Sequence, residues 1–224
     1  LLIRPTVAEF DAFVHALDKV LSENLNRDFF PPSIAREREK PRADGRIVVA
    51  GTAARGSVDD FAVVRYHPDG SLDTSLGGAG KVTTPVLANG IAQAVAVQTD
   101  GKIVVGGYAS NGSSDDLAVV RYLANGTLDD TFGGDGIVTT SVGPLDDQGR
   151  SLLIQPDGKM VLAGQTLVGS LNEVVVVRYD QSGNLDSSFA TGGIVVTSAL
   201  GGSIALAVAL QSDAKLIVAG HTWN

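Results

Sequence analysis

The chain has 224 residues, no cysteine, 17 Lys and Arg against 25 Asp and Glu, and a net charge of −8. Without cysteine there is no disulfide, no zinc–thiolate centre and no thiol nucleophile. An acidic surface with no basic groove argues against nucleic-acid partners.

Residues 1–43 differ from everything after them. They hold seven basic and seven acidic side chains, so the whole net charge falls on the remainder. A helix is predicted over 6–25, where Thr6 and Glu9 form a capping box, each side chain accepting from the other's backbone donor. Val7, Phe10, Val14, Leu17 and Leu21 then fall on one face. Such a helix is marginal alone in water and is expected to pack on the rest of the chain or on an identical helix. Asp11, Asp18 and Lys19 interrupt the apolar run, which excludes a membrane span or a signal peptide here. A linker with two prolines and the charged run from Arg36 to Arg42 follows.

From Asp44 onward the sequence repeats. Asp44-Gly45-Arg46-Ile47-Val48-Val49-Ala50-Gly51 returns from Asp100, Asp157 and Asp213, at steps of 56, 57 and 56 residues. Val64-Arg65-Tyr66 returns as Val120-Arg121-Tyr122 and Val177-Arg178-Tyr179. Val82-Thr83-Thr84 returns as Val138-Thr139-Thr140 and, loosely, as Val196-Thr197-Ser198. A fixed period of this length is the signature of a repeat architecture.

Each copy contains four short runs rich in Val and Ile, bounded by Gly, Asp and Asn, and these read as strands. Several runs, such as Val174 to Val177, are apolar at every position, as in strands covered on both faces. The turn Pro68-Asp69-Gly70 sets Tyr66 opposite Leu72 and Arg65 opposite Asp73. The same folding sets Arg121 opposite Asp129 and Arg178 opposite Asp186. These six residues are expected to form structural cross-strand salt bridges rather than ligand sites, because a group needed in every copy belongs to the scaffold.

Four strands per 56 residues describe one blade of a β-propeller. The predicted architecture is all-β: a partial, open or incomplete β-propeller of four-stranded antiparallel blades, preceded by the short N-terminal amphipathic helix. The domains are 1–43 and 44–224, with blades at 44–84, 91–140 and 148–198 and a partial one at 204–224. Counting runs gives three, four, four and two strands. That points to an open arc, a piece of a longer protein, or a ring completed by a second copy, with open blade edges as a route to self-association.

The phrases Gln155 to Gly164, Asp60 to Tyr66, Pro68 to Asp73, Phe132 to Gly136 and Val138 to Thr140 together resemble the delta-60 repeat, a bacterial β-propeller-like family. The resemblance covers residues 44–224. It implies the fold and an extracellular or cell-surface setting, and it carries no general activity. One departure is Ala214, which stands where the other copies have the turn glycine.

No catalytic, cofactor or metal residues emerge. His15, His67 and His221 have no metal-ligand spacing, and Gly106-Gly107 to Gly112 is not followed by the helix that a dinucleotide site requires. The pairs Asp59-Asp60, Asp115-Asp116 and Asn172-Glu173 read as solvated turn residues, calcium being the one ion they would suit. Tyr108 and Trp223 are unrepeated aromatics. The functional expectation is a non-catalytic scaffold presenting loops to a protein or glycan partner. The alternative is a propeller-type hydrolase or lactonase with a metal in its central channel.

Overall fold

The computed structural model describes residues 45–198 and 201–223. Thirteen strands form four separate antiparallel sheets. The first contains β1 (Ile47–Arg55), β2 (Val58–Tyr66) and β3 (Lys81–Thr84). The second contains β4 (Asn89–Val97), β5 (Ile103–Ser110), β6 (Asp115–Tyr122) and β7 (Ile137–Thr140). The third contains β8 (Asp147–Ile154), β9 (Met160–Val168), β10 (Leu171–Tyr179) and β11 (Ile194–Thr197). The fourth contains β12 (Gly202–Leu210) and β13 (Leu216–Trp223). Strands within each sheet follow chain order, so every sheet is a simple meander.

The expected fold class is corrected in one respect. Among the described residues there is no helix at all, and the architecture is all-β antiparallel sheets of β-propeller type. The physical reason is the punctuation of the repeat: turns rich in Gly and Asp break it into strands of four to nine residues, which leaves no room for a 3.6-residue stripe. The helix assigned to 6–25 lies outside the described residues.

The sheets stack face to face, and this explains the apolar runs without alternation. Ile103 and Val105 of β5 join Phe61, Val63 and Leu76 in one core, on the side of the first sheet. Their neighbour Val104 points the other way and joins Met160, Leu162 and Val175 of the third sheet. All of these are fully or almost fully buried, and each such side chain contributes about 1.5–3 kcal/mol relative to exposure. A third core, around Val161, Ala163, Val176 and Ala205, joins the third and fourth sheets.

Two features lie beyond the sequence-based expectation. The first run of each copy begins earlier than its Val-rich part: β4 starts at Asn89, and Asn89 to Ile91 pair with Tyr108 to Ser110. The frame of the last run in the third copy also moves by one residue. Leu117 faces Thr140 and Val174 faces Thr197, so Val195-Val196-Thr197 is the equivalent of Val138-Thr139-Thr140.

The first strands of the second, third and fourth sheets carry a β-bulge, at Ala92/Ala94, Gly149/Ser151 and Ala205/Ala207. The bulge explains the glycine that closes the Val-Val-Ala-Gly phrase. A Cβ at Gly107, Gly164 or Gly220 would collide with the carbonyl oxygen of Ile91, Gln148 or Ile204, respectively. Bulge and glycine are therefore one device, in which the extra residue kinks the strand and its partner gives way.

Two substitutions test these backbone arguments. Gly164→Ala is expected to cost about 3 kcal/mol, because a backbone carbonyl cannot move aside as a side chain can. Ala214 has φ +65°, the left-handed conformation that Gly101 and Gly158 adopt at +88° and +81°. Ala214→Gly is therefore expected to stabilise the protein by about 1 kcal/mol and to raise Tm by roughly 2–4 °C. Urea and thermal unfolding measure both.

Candidate functional site

The two ends of the sheets differ in chemistry. At one end lie the Asp-Gly turns and the hairpins that follow β2, β6 and β10. Here Arg65 Nε lies 2.8 Å from Asp73 Oδ2, Arg121 Nε 2.7 Å from Asp129 Oδ2, and Arg178 Nε 2.8 Å from Asp186 Oδ2. The hairpin backbone holds the partners opposite one another: Asp73 N donates to Arg65 O at 2.9 Å, and Tyr66 bridges to Leu72. A second cation, which sequence reasoning missed, reaches the same carboxylates from the Asp-Gly turn. Arg46 Nε is 2.9 Å from Asp73, Lys102 Nζ 3.1 Å from Asp129, and Lys159 Nζ 2.9 Å from Asp186. The sequence signal was the fixed basic residue after each Asp-Gly.

The same arginines tie neighbouring sheets together. Arg65 Nη1 donates to Ala124 O at 2.6 Å, in the hairpin turn of the next sheet, and Arg121 Nη1 donates to Gln181 O in the same way. Phe132 and Phe189 lie beneath the guanidinium groups of Arg121 and Arg178, at 4.7 and 4.5 Å. A second tie is buried. Tyr122 Oη donates to Thr84 Oγ1 at 2.7 Å, and Tyr179 Oη to Thr140 Oγ1 at 2.8 Å, each reaching back to the preceding sheet. Burial pushes the Tyr122 hydroxyl up to about 12, only partly offset by Thr84.

The carboxylates of these nodes are held down. Burial works to raise Asp73, but hydrogen bonds from Ser75 and the charge of Arg65 outweigh it and leave the group at about 2. Asp129 is also at about 2, where Thr131, Lys102 and Arg121 together overcome the same burial. Asp186 is lowered by Ser188 and Lys159, with burial opposing and Arg178 adding its charge.

The opposite end carries residues that differ from copy to copy. The bulges place Gln93, Arg150 and Leu206 as the extra residues on β4, β8 and β12, each of which is one of the two edge strands of its sheet. Around Arg150 the second and third sheets bring together a polar cluster. Gln148 Nε2 donates to Asp115 Oδ2 at 2.8 Å, and Arg150 Nη2 donates to Gln148 Oε1 at 3.2 Å and Gln165 Oε1 at 3.3 Å. Tyr108 lies within the field of this cluster. Burial first and then Asp115 raise its hydroxyl, while Arg150 and a hydrogen bond with Gln93 oppose. Arg150 thus meets amide oxygens and, among the described residues, forms no carboxylate salt bridge.

The acidic pairs before the third run sit at this end too, each in a different setting. Asp60 accepts from Arg55 Nε at 2.8 Å and Nη2 at 3.2 Å, Asp116 from Asn111 at 2.9 Å, and Glu173 from Ser198 at 2.5 Å. Asp59 N and Asp115 N donate across the sheet junction to Asn89 Oδ1 at 2.7 Å and Asp146 Oδ1 at 3.0 Å. Asp147 is fully buried; burial raises it first, two backbone N–H groups and Thr166 oppose, and the charge of Asp116 adds to the rise. No group of three or more His, Asp or Glu able to hold a metal ion occurs among the described residues.

The remaining singled-out residues are scattered. His67 is part exposed beside its hairpin, 3.8 Å from Asp73 Oδ1. His221 and Trp223 lie together on β13 with ring centroids 5.5 Å apart, and Trp223 covers Gly202. His15 lies outside the described residues. The bulge residues were missed in the sequence because an inserted residue leaves no periodic trace in a strand.

Residues 42–76, 98–132 and 155–189 each match the model of a family described as a domain of unknown function (DUF5122) β-propeller. The repeat is thus of β-propeller type. Each match runs from the Asp-Gly turn to the residue that plugs the next junction: Leu76, Phe132 or Phe189. No curated protein matches the chain.

The nodes make stability pH-dependent. A carboxylate whose folded pKa lies below its unfolded value near 3.9 stabilises the fold above that value, and the stabilisation disappears as pH falls through the folded pKa. With Asp73 and Asp129 at about 2, the urea midpoint is expected to fall between about pH 4 and pH 2. Asp129→Asn is expected to lower the midpoint at pH 7 and to flatten this acid limb.

Proposed function

We propose that the chain is a non-catalytic β-propeller scaffold that presents its bulge rim and adjoining loops to a protein or glycan partner. An extracellular or cell-surface setting belongs to the same reading and rests on the resemblance to delta-60 repeats. One contrast supports it. The polar side chains that recur in every copy are engaged with one another, as in Arg121, Asp129, Lys102 and Thr131. Polar side chains that differ between copies gather at the other end, where Gln148 and Arg150 on the edge strand β8 adjoin Gln165 on β9, Tyr108 on β5 and the recurrent Asp115 on β6. A scaffold keeps its frame constant and varies what it displays.

The rim chemistry suits a polar, hydrogen-bonding partner. Arg150 offers donors held only by amide oxygens at 3.2–3.4 Å, and Tyr108 adds a half-buried phenol whose hydroxyl feels the charge of Arg150. Arginine and tyrosine are frequent anchors in binding surfaces.

One observation favours a second reading, the metal-dependent hydrolase or lactonase. Asp116 and Asp147, from adjoining sheets, are both buried and close enough for one to raise the other. Two carboxylates alone are a poor ligand set for calcium, which takes six to eight oxygens.

Probing glycan and extracellular-protein arrays with the purified chain tests the proposal. Tyr108→Ala and Arg150→Ala are each expected to weaken the captured interaction about tenfold or more, with little change in Tm. Turnover of an ester or lactone panel upon addition of calcium or zinc, abolished by Asp147→Asn, would establish the hydrolase instead. Binding that ignores both rim substitutions would remove the rim from the proposal.

A further inference from the structure

The sequence contains Asn-Gly steps at Asn89, Asn111 and Asn125. At such a step the backbone nitrogen of glycine can attack the asparagine side chain, because no Cβ stands in the way. The attack needs an uncommitted glycine N–H and a carboxamide turned toward it. Gly126 fails the first condition: its N–H donates to Leu123 O at 2.9 Å, and the residue is buried where a Cβ would press on Leu76 and Val82. Gly90 is buried within β4 beside Phe61 and Val86, and Asn89 Oδ1 is taken by Asp59 N at 2.7 Å. The glycines after Asp69, Asp100, Asp135 and Asp157 also give their N–H groups to backbone carbonyls, those of His67, Gln98, Phe132 and Gln155. Gly112 is exposed, with open space where its Cβ would stand, and among the described residues its N–H meets the Ser110 hydroxyl alone, at 3.3 Å.

The side chain of Asn111 meets the second condition. Its Oδ1 accepts from Ser113 N at 2.9 Å and Ser114 N at 3.1 Å, which turns the carboxamide toward the residues that follow. Negative charge develops on this oxygen when a nitrogen adds to Cγ, and two N–H groups aimed at such an oxygen stabilise it. The Nδ2 that would leave donates to Asp116 Oδ2 at 2.9 Å and to Ser114 Oγ at 3.2 Å. Asp116 depends on that donor, being buried with an Oδ1 that has no partner among the described residues. At the matching place in the first sheet, Asp60 is gripped through both oxygens by the guanidinium of Arg55. The second sheet thus has a perishable neutral donor where the first has a permanent cation.

We propose that Asn111 is a site of spontaneous deamidation that acts as a one-way charge switch on the β5–β6 hairpin. The Gly112 nitrogen bonds to Asn111 Cγ, the Cγ–Nδ2 bond breaks, and the amide proton of Gly112 departs with the released nitrogen as ammonia. Water then opens the five-membered imide at either carbonyl, leaving aspartate or isoaspartate; it is the sole co-reactant. The new anion faces Asp116, which loses its donor and gains a like charge. Next to it, Asp115 N donates to Asp146 Oδ1 at 3.0 Å and Asp115 Oδ2 accepts from Gln148 Nε2 at 2.8 Å, so loosening of the hairpin reaches the junction with the third sheet. Both sheets at this junction have all four strands.

Trypsin places the three asparagines in separate peptides, 82–102, 103–121 and 122–150. The full chain is held folded in mildly alkaline buffer, digested at intervals and followed by mass spectrometry. The gain of about one dalton is expected in 103–121 about tenfold faster than in 122–150, since Gly126 must first give up a hydrogen bond. In urea the peptides are expected to react alike. Asn111→Gln is expected to stop the reaction in 103–121, because its ring would need six members. Asn111→Asp is expected to lower Tm by roughly 2–4 °C and to speed hydrogen exchange at the Asp115 amide. Equal rates in the three peptides of the folded chain overturn the proposal, as does an unreactive 103–121 in a chain that reacts when unfolded. An Asn111→Asp protein with unchanged Tm and unchanged exchange at Asp115 overturns the switch.

Discussion

Arg121 faces two sheets at once. Its Nε is fixed by Asp129 of its own hairpin, and its Nη1 donates to the turn of the following sheet. The first bond holds the register of the strand pair, and the second holds the distance to the neighbour. Because one rigid fork makes both, register within a sheet and stacking between sheets cannot vary separately. Lys102 shares the same carboxylate and Phe132 lies under the guanidinium. The cost of burying this charge is met by a complete set of partners, the condition under which a buried ion pair is tolerated.

The bulge is the second constraint, and it links frame to display. An added residue on β4, β8 and β12 kinks the backbone toward its neighbour, which is possible only because Gly107, Gly164 and Gly220 have no side chain there. The residue that the kink sets apart is Gln93, Arg150 or Leu206, different in each sheet. An invariant glycine thus permits a variable neighbour. This division lets one repeat carry several surfaces without altering its core.

The strands and their antiparallel order could be read in the sequence because each is short, β-branched and closed by a turn with unambiguous chemistry. Tyr66 opposite Leu72 followed directly from Pro68-Asp69-Gly70. What could not be read was whatever depends on two copies meeting. The threonine that accepts from a tyrosine one sheet later, as Thr84 does from Tyr122, gives no local sign of its partner. The frame of Val195-Val196-Thr197 was misplaced by one residue because similarity of letters outweighed the pairing with β10. The rim cluster was invisible for a related reason: Arg150, Gln165 and Asp115 adjoin only through the junction of two sheets.

The reach of the guanidinium ties has a kinetic corollary. Arg65 finds its turn carbonyl 59 positions later, and Arg121 finds its own 60 positions later. Loops that must close during folding therefore stay near one period in length however many copies a chain contains. A growing polypeptide can complete one leaf on the next while later copies are still being synthesised.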